Sequence, residues 1–377
     1  MTDFQLPRRL QNVQTTLIRQ IFERALPGSI NFGLGEPDLP TPEFIREEAA
    51  RVALSEQNGY TSHPGLLSLR EKIAADYPNL NLTPNDVVVT CGSQEAMTGA
   101  MLAVVDDGDE VLIPDPVFAA YPNVIALAGG VPVTFRLPQE KEFGFDLGEF
   151  KSKITAKTKA VVIVSPSNPT GKIFSENDLR HIADCLKDTG AFVISDEIYR
   201  DLYFGESRPA SISDFYERTI IVSGLSKSMS MTGWRLGWVC SRVKEVMRAE
   251  QILHGYLTVC AAAISQKAAL KAFGSEAQSS IANARQIYKK RRDFFLPLIE
   301  KELNLRAVSP DGAFYTMVDA REFGDDIKLA ERLLEHKVIT VPGIAFGEES
   351  RGFLRLSFCS NEETLADGIQ RIKAGLR

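Results

Sequence analysis

The stretch AVVIVSPSNPTGKIFSENDLRHIADCLKDTGAFVIS, residues 160–195, decides the fold class. It begins and ends with short runs rich in β-branched residues, and the segment 176–187 between them has a helical pattern. Ser175 precedes that segment and is a residue type that commonly caps the start of a helix. A strand, a helix and a second strand in this order predict parallel strands joined by a crossover helix.

The same alternation extends from about residue 85 to residue 240 and contains seven candidate strands. These are 87–90, 110–113, 131–135, 160–164, 192–195, 219–222 and 236–239. A further helix is predicted over 94–105, with Ser93 as its N-cap. The sequence therefore predicts an α/β fold in which helices flank a seven-stranded, mostly parallel sheet.

The remainder of the chain has a different pattern. Long helical stretches follow residue 240 to about 303, and strand-like pieces lie at 314–318 and 353–358. A chain of 377 residues is long enough for two domains, because single cores usually stop growing near about 250–300 residues. We therefore expect a second, smaller α+β domain.

Composition excludes several classes of protein. The net charge is −6 with both signs interspersed, so no basic stripe suits nucleic acid. No run of about 18 apolar residues indicates a membrane span, and the four histidines form no pair with metal-ligand spacing. The cysteines are five and scattered, which favours a reducing, cytoplasmic setting over a disulfide framework.

Polar residues follow several of the predicted strands, at the sheet edge where open α/β folds bind ligands. Asn168 follows 160–164, and Asp196 and Tyr199 follow 192–195. Lys227 lies just past 219–222, and Arg235 follows it by eight positions. Taken singly, each has an ordinary explanation, such as a turn asparagine, a solvated loop lysine or a salt-bridged arginine.

Two further segments suggest anion binding. In CGSQ, residues 91–94, a strand leads into a helix, so backbone N–H groups and the helix dipole form the outline of a phosphate site. In GFLRLSF, residues 352–358, Arg355 stands in an otherwise apolar run. A charge buried there would cost several kcal/mol without an anionic partner.

Together these segments resemble the fold-type I pyridoxal-phosphate enzymes of the class I/II aminotransferase family, of the aspartate-aminotransferase-like kind, over nearly the whole chain. The matching stretches, in matching order, are NFGLGEPD (31–38), GYT (59–61) with Gly65 and Leu69-Arg70, PVFAAY (116–121), SNPTG (167–171), DEIY (196–199), SK (226–227), GWRLG (233–237) and RLS (355–357). The resemblance implies a large cofactor-binding domain over 41–275. It also implies a small domain built from 276–377 together with part of an N-terminal segment, 1–40.

The resemblance also implies roles around pyridoxal phosphate. Lys227 would hold the cofactor as a Schiff base and then carry the proton between the substrate and the cofactor. Asp196 would pair with the pyridine nitrogen, Asn168 and Tyr199 would reach the 3′ oxygen, and Phe118 would stack on the ring.

The remaining implied contacts concern the phosphate, the substrate and a second subunit. Ser93, Gln94, Ser226 and Arg235 would hold the phosphate, although Gly224 stands where many relatives have a hydroxyl three residues before the lysine. Gly35, Asn168 and Arg355 would bind the substrate carboxylate. Tyr60 would reach the phosphate of a neighbouring subunit, which implies a homodimer with shared active sites.

The function implied is transfer of an amino group between an L-amino acid and a 2-oxo acid. One alternative is a C–S lyase acting on a sulfur amino acid, because fold and cofactor do not determine which bond breaks. A cofactor-sensing regulator is less expected, since it would carry a DNA-binding module. The amino acid stays open: aspartate and glutamate are plausible by resemblance, and aromatic amino acids, alanine and methionine are not excluded.

Overall fold

A computed structural model describes residues 5–11, 13–55 and 57–377 of the chain. Within these ranges the helices are α1 Leu17–Glu23, α2 Glu43–Ala53, α3 Leu67–Ala75, α4 Ser93–Val104, α5 Tyr121–Leu127, α6 Leu147–Lys153, α7 Glu176–Leu186, α8 Lys244–Leu257, α9 Ala263–Ala269, α10 Ser275–Leu303, α11 Asp326–Glu335 and α12 Glu362–Gly375. The strands are β1 Ile30–Asn31, β2 Val87–Thr90, β3 Glu110–Asp115, β4 Val131–Arg136, β5 Thr158–Val164, β6 Phe192–Asp196, β7 Thr219–Gly224, β8 Gly237–Ser241, β9 Tyr315–Asp319, β10 Val338–Ile339, β11 Val341–Pro342 and β12 Phe353–Ser357.

The large sheet has seven strands in the order β2-β8-β7-β6-β5-β3-β4. All neighbours are parallel except β8, which runs antiparallel to both β2 and β7. The central strands β6 and β7 are buried along their whole length, as expected for a sheet with helices on both faces. The predicted seven-stranded, mostly parallel sheet is confirmed.

The crossover predicted from residues 160–195 is present as β5-α7-β6. Ser175 caps α7: its hydroxyl accepts the N–H of Asp178 at 3.1 Å, and the Asp178 carboxylate accepts the N–H of Ser175 at 2.9 Å. This reciprocal pair satisfies two N–H groups that the first helical turn would otherwise leave without partners. Apolar residues of α7 then pack on the sheet.

The start of α4 differs from the prediction. The N-cap is Gly92, and Ser93 is the first helical residue, so Ser93 is not the cap. Gly92 has φ +89°, a conformation that favours glycine, and this places the turn one residue earlier than the serine suggested. Similarly, the last strand of the sheet begins at Gly237 rather than Leu236, directly after Arg235 with its φ of +52°.

A second group of elements surrounds a three-stranded antiparallel sheet, β11-β12-β9. Strands β9 and β12 correspond to the predicted pieces 314–318 and 353–358. The N-terminal segment joins this group, because β1 pairs in parallel with β10 and Phe32 packs against Phe295 of α10. The domain limits 1–40, 41–275 and 276–377 stay a prediction, and residues 1–4 and 12 of the first lie outside the described residues.

Three general features of the described residues bear on function. No helix in these ranges combines the length and the apolar character that crossing a membrane requires. Histidine, cysteine, aspartate and glutamate form no group of three there that could hold a metal ion. The five cysteines have free thiols.

Candidate active site

A cavity of about 380 Å³ lies at the carboxyl edge of β5 and β6, between the large sheet and the smaller group of elements. Eleven of the twelve site residues predicted from the sequence line this cavity. They are Gly35, Ser93, Gln94, Phe118, Asn168, Asp196, Tyr199, Ser226, Lys227, Arg235 and Arg355. The folded chain thus brings together residues that are far apart in the sequence, such as Gly35 and Arg355.

Lys227 enters the cavity from the loop after β7. Its Nζ donates to the carbonyl oxygen of Gly35 at 2.6 Å. Burial lowers the pKa of Lys227, because a low-dielectric setting disfavours the ammonium form. A lysine with a lowered pKa supplies the neutral amine that condensation with an aldehyde requires.

Asp196 is the last residue of β6, and its carboxylate is buried beneath the cavity. Oδ2 accepts the hydroxyl of Tyr121 at 2.7 Å, and Oδ1 accepts the N–H of Ile198 at 3.0 Å. Burial raises the pKa of Asp196, while these two donors and the nearby Lys227 act in the opposite direction. The cavity therefore holds a carboxylate that neighbouring donors help to keep ionised.

Tyr121 had no predicted role, although it ends the segment PVFAAY that carries the resemblance. It begins α5, and its ring meets that of Phe118 edge-on, with the ring centroids 5.7 Å apart. A tyrosine at the start of a helix carries no sequence signal of the carboxylate that it meets across the fold. Only the packing of α5 over the end of β6 reveals the pair.

Tyr199 and Tyr315 form a second pair that the sequence did not reveal. Their hydroxyl oxygens are 2.8 Å apart. Burial raises the pKa of both phenols, that of Tyr315 to about 12. The pair is therefore neutral at physiological pH and can donate a hydrogen bond into the cavity.

Arg355 lies on β12 and is 2% exposed. Its Nη1 donates to Asn168 Oδ1 at 2.8 Å, its Nη2 donates to the carbonyl oxygen of Gly33, and its Nε has no partner. Burial lowers its pKa, and both acceptors are neutral. Within the described part of the chain no carboxylate pairs with Arg355, so this buried cation is suited to an anionic ligand.

The rings of Tyr315 and Phe346 support the same guanidinium. Its central carbon lies 4.5 Å from the centroid of Tyr315 and 4.8 Å from that of Phe346. Such stacking restrains a planar guanidinium and adds a favourable cation–π attraction. Arg355 is therefore positioned before any ligand arrives.

The start of α4 and Arg235 form the other end of the cavity, and both are suited to an anion. A Cβ added to Gly92 would stand 2.6 Å from an Arg235 nitrogen, so only glycine lets the guanidinium lie against this turn. Arg235 Nη1 also donates to the carbonyl oxygen of Thr232 at 3.0 Å. Ser93, Gln94 and Ser226 line the same cavity, and the N–H groups at a helix start favour a phosphate.

Gly224 departs from the family pattern for a steric reason. A Cβ at this position would lie 2.9 Å from the Leu236 carbonyl oxygen and 3.0 Å from the Gly237 Cα. The close approach of β7 and β8 therefore leaves no room for a hydroxyl side chain three residues before Lys227. A phosphate at this end would depend on the other groups there.

Tyr60 is the one predicted site residue that does not line the cavity. Its side chain is 88% exposed, on the surface formed by the segment before α3. Within one protomer it contributes nothing to the site. The expectation that it serves a neighbouring subunit stays a prediction.

These groups fit pyridoxal phosphate. Four features of the cavity match the parts of the cofactor and the substrate. The Lys227 amine with its lowered pKa suits the aldehyde, and the buried carboxylate held by Tyr121 suits the ring nitrogen. The cradle at Gly92 that a Cβ would fill suits the phosphate, and the buried Arg355 with an unused Nε suits the substrate carboxylate. Phe118 adds an aromatic surface beside them. No predicted cavity residue conflicts with this arrangement.

Comparison with known proteins agrees with the geometry. The sequence profile described as "Aminotransferase class I and II" matches residues 27–372. A probable aspartate/prephenate aminotransferase of Aquifex aeolicus is 39% identical and covers 92% of this chain and 91% of its own length. Aromatic-amino-acid aminotransferase 2 of Thermococcus litoralis is 33% identical, over 99% of this chain and 98% of its own length.

Solved structures give the same result. The aspartate aminotransferase of Thermus thermophilus, determined with maleate, superposes with a TM-score of 0.93 at 33% identity, over 99% of this chain and 100% of that chain. A family profile spanning nearly the whole chain, together with relatives above 30% identity over most of it, establishes the family. This chain belongs to the class I and II aminotransferases.

Proposed function

We propose that this protein, a pyridoxal-phosphate-dependent aminotransferase by its family, uses Lys227 to bind the cofactor and to move the proton during transfer of an amino group between an L-amino acid and a 2-oxo acid. One observation carries the proposal: the Lys227 amine, with its lowered pKa, lies in one cavity with the Asp196 carboxylate and the Arg355 guanidinium. The chemistry requires these three groups together.

Pyridoxal phosphate, when bound, supplies an electron sink for the charge left as the substrate loses its α-proton. Asp196 would hold the ring nitrogen in its protonated form. Tyr121 and the N–H of Ile198 assist by stabilising the ionised carboxylate against burial. Phe118 would pack on the ring, and Asn168 and Tyr199 would donate to its 3′ oxygen.

The phosphate would bind between the start of α4 and the loop after β7. Ser93 and Gln94 offer their N–H groups, Ser226 a hydroxyl and Arg235 a planar pair of donors. The backbone at this end of the cavity is closely packed, because a Cβ on Gly237 would stand 2.5 Å from the Ser93 nitrogen and 2.6 Å from the Gly92 carbonyl carbon. A backbone already in place would orient the cofactor with little loss of entropy on binding.

Arg355 would bind the substrate α-carboxylate through a charge-assisted pair of hydrogen bonds, with Asn168 and Gly35 at the same place. The amine of Lys227 would then lie beside the substrate α-carbon. There it would accept the α-proton and return it to the C4′ carbon of the cofactor. The Gly35 carbonyl, which accepts the Lys227 amine at 2.6 Å, orients that amine while it is free.

We also propose a homodimer with shared active sites. Large apolar side chains are exposed on neighbouring segments of the protomer, among them Tyr60 at 88% and Tyr256 at 91%. Contacts join these segments: Gln266 of α9 bonds to Thr61, and Gly255 of α8 lies beside His63. An apolar surface of this kind is typical of a subunit interface.

We place the dimer in a reducing compartment, the cytoplasm. Support comes from the five cysteines, whose thiols are all free and of which Cys240 and Cys359 are buried. Free thiols persist where the surroundings keep them reduced. Measuring the protein in cytosolic and other fractions with an antibody would test this location directly.

Reduction of the holo-protein with borohydride tests the proposed function. Peptide mass spectrometry should find the cofactor on Lys227, and Lys227→Ala should retain the fold by circular dichroism but lose both the adduct and turnover. Lys172→Ala, at a lysine paired with Asp311 outside the cavity, is the matched control and should keep both. Attachment of the cofactor to another residue, or turnover by Lys227→Ala, would refute the proposal.

The reaction type is tested on the same preparation by adding L-amino acids. An aminotransferase converts the cofactor from its pyridoxal to its pyridoxamine form, which changes its absorbance, and releases the 2-oxo acid. Release of a thiol together with pyruvate, with the pyridoxal form retained, would instead indicate a lyase.

A further inference from the structure

Helix α8 ends beside the start of helix α4. His254, in the last turn of α8, contacts Glu95 in the first turn of α4. One turn further along each helix, the Glu250 carboxylate fills the space where a Cβ on Gly99 would stand. The two helices therefore run in opposite directions, and the end of α8 packs against the turn that leads into the proposed phosphate site.

Glu95 connects this contact to the turn that precedes α4. Its Oε2 accepts the N–H of Cys91 at 2.5 Å. Cys91 and Gly92 form that turn, and Ser93 and Gln94, which follow it, line the cavity. A side chain in the first helical turn that reaches back to a preceding N–H fixes the entry of the chain into the helix. Glu95 thereby fixes the path of the backbone into the phosphate site.

The Glu95 carboxylate faces α8 and not the cavity. Three residues of α4 line the cavity, namely Ser93, Gln94 and Met97, and Glu95 is not among them. On the α8 side, His254 Nδ1 lies 2.7 Å from Glu95 Oε1, and the Thr258 hydroxyl donates to the same oxygen at 3.1 Å. These contacts hold the carboxylate away from the cavity.

The charge of Glu95 matters for an anionic ligand. Burial acts to raise the pKa of Glu95, but hydrogen bonds from His254, from the N–H of Cys91 and from Thr258 outweigh burial and lower that pKa. Glu95 is therefore ionised at neutral pH, close to the helix start where a phosphate would bind. Two anions at one helix start repel each other unless a donor or a cation offsets one of them. His254 is positioned to offset the charge of Glu95.

The pair of Glu95 and His254 is enclosed within one protomer. The side chains of His254 and Glu95 are 1% and 12% exposed. Within the described part of the chain His254 Nε2 has no hydrogen-bond partner, so the ring is oriented through Nδ1. The contact is thus complete without a second subunit.

We infer that Glu95 and His254 are positioning residues for the cofactor phosphate. Glu95 fixes the turn at Cys91 and Gly92 through its hydrogen bond, and His254 keeps the Glu95 carboxylate on the α8 side of the helix. The inference rests on the proposed function, which places the phosphate at the start of α4. Neither side chain lines the cavity, so both act through the backbone of that helix start and not on the chemistry at Lys227.

Titration of the cofactor-free full chain with pyridoxal phosphate and with pyridoxal tests the inference. Both compounds carry the aldehyde and the ring, and the first alone carries the phosphate. His254→Leu should raise the Kd of pyridoxal phosphate at least ~10-fold, the effect of a lost hydrogen bond to a charged group. The Kd of pyridoxal should change less than about 2-fold. Equal weakening of both compounds, or an unchanged Kd of pyridoxal phosphate, would overturn the inference, whereas failure of the wild-type chain to bind either compound would count against the proposed function.

Two further histidine variants serve as comparisons, each checked for folding by circular dichroism. Asparagine can place an amide N–H where His254 Nδ1 lies, so His254→Asn should keep the Kd of pyridoxal phosphate within about 3-fold of the wild type. His336→Leu, at an exposed histidine after α11, is the matched control and should leave both Kd values unaltered. A loss in His254→Asn as large as that in His254→Leu would contradict a role for the hydrogen bond to Glu95.

Variants of Glu95 test the same inference without a change in α8. Glu95→Ala removes the acceptor of the Cys91 N–H and should raise the Kd of pyridoxal phosphate at least ~10-fold, with little effect on pyridoxal. Glu95→Gln keeps an oxygen for that N–H and has no charge to offset. Combined with His254→Leu, it should therefore restore the Kd of pyridoxal phosphate to within about 3-fold of the wild type. A double variant as weak as His254→Leu alone would overturn the inference, because removing a charge does not repair a general packing defect.

Discussion

The hydroxyl of Tyr121 donates to Asp196 Oδ2 over 2.7 Å, joining two buried side chains that stand 75 positions apart in the chain. The donor belongs to a short helix outside the sheet, and the acceptor ends a central strand. Burial alone would favour the neutral form of Asp196, whereas this donor stabilises the carboxylate. Tyr121 thus favours the charged form of Asp196, which a protonated ring nitrogen would require.

Tyr121→Phe should move the acidic limb of the kcat/KM pH profile to higher pH. The variant loses the hydrogen bond that lowers the pKa of Asp196, so the carboxylate takes up its proton at a higher pH than in the wild type. At neutral pH we expect kcat to fall by about 10-fold, the effect of one hydrogen bond to a charged group. Stopped-flow half-reactions between pH 5 and pH 9 provide the measurement. An acidic limb at its original pH would contradict the assignment.

Arg355→Lys should raise KM for every amino acid. A lysine cannot offer the planar pair of donors that grips a carboxylate, and it loses the stacking on Tyr315 and Phe346. We expect kcat/KM to fall at least ~30-fold, with cofactor affinity retained because the phosphate lies at the other end of the cavity. Arg321→Lys, at an exposed arginine paired with Asp319, is the control. A loss confined to kcat, with KM unchanged, would argue against carboxylate binding.

Much of the framework could be predicted because its signals are local. Runs such as VVIV at 161–164 mark buried strands, and the polar residues that follow them, including Asn168 and Asp196, meet at the carboxyl edge of the sheet. The cap at Ser175 was also predictable, because the serine and its partner Asp178 are only three positions apart.

The pairs within the site could not be predicted in the same way. Tyr121 with Asp196, Tyr199 with Tyr315, and Arg355 with Asn168 join residues 75, 116 and 187 positions apart. Which atoms meet depends on how the elements pack, and no local pattern encodes that. The error at Ser93 has a related origin, since Gly92, with its positive φ, lies against Arg235, a residue far along the chain.

Hybrid dimers should reveal whether Tyr60 serves the neighbouring site. Tyr60→Phe should weaken cofactor binding by about 10-fold or more, as expected for loss of one hydrogen bond to a phosphate. A heterodimer of Tyr60→Phe with Lys227→Ala would then contain one intact site, formed by Lys227 of the first subunit and Tyr60 of the second. Its activity at limiting cofactor should reach about half that of the wild type, because one of the two sites is restored.

The activity of these hybrids distinguishes a Tyr60 that serves the neighbouring site from one that serves its own subunit. If Tyr60 acted within its own subunit, the only lysine-bearing site of the heterodimer would still lack the phenol. Activity would then stay at half the value of the Tyr60→Phe homodimer. Separately tagged subunits allow the heterodimer to be purified before the assay, and the Lys227→Ala homodimer gives the background.

Glu250→Gln should stabilise the protein at alkaline pH and have little effect at acidic pH. Glu250 lies on α8 and is 2% exposed, its Oε1 has no partner, and it faces Gly99 of α4 with Glu95 and His254 nearby. Burial, with a smaller effect of Glu95, raises its pKa well above the ordinary value for glutamate. The folded protein therefore holds a proton that the unfolded chain releases, so stability falls as pH rises above that ordinary value. Glutamine does not ionise, and at pH 8 we expect the free energy of unfolding of the variant to exceed that of the wild type by about 1–3 kcal/mol.

Urea unfolding at pH 5 and pH 8, at one concentration of protein and cofactor, provides the measurement, with the exposed Glu335→Gln as control. An advantage of the same size at both pH values would show that Glu250 does not change its protonation on unfolding.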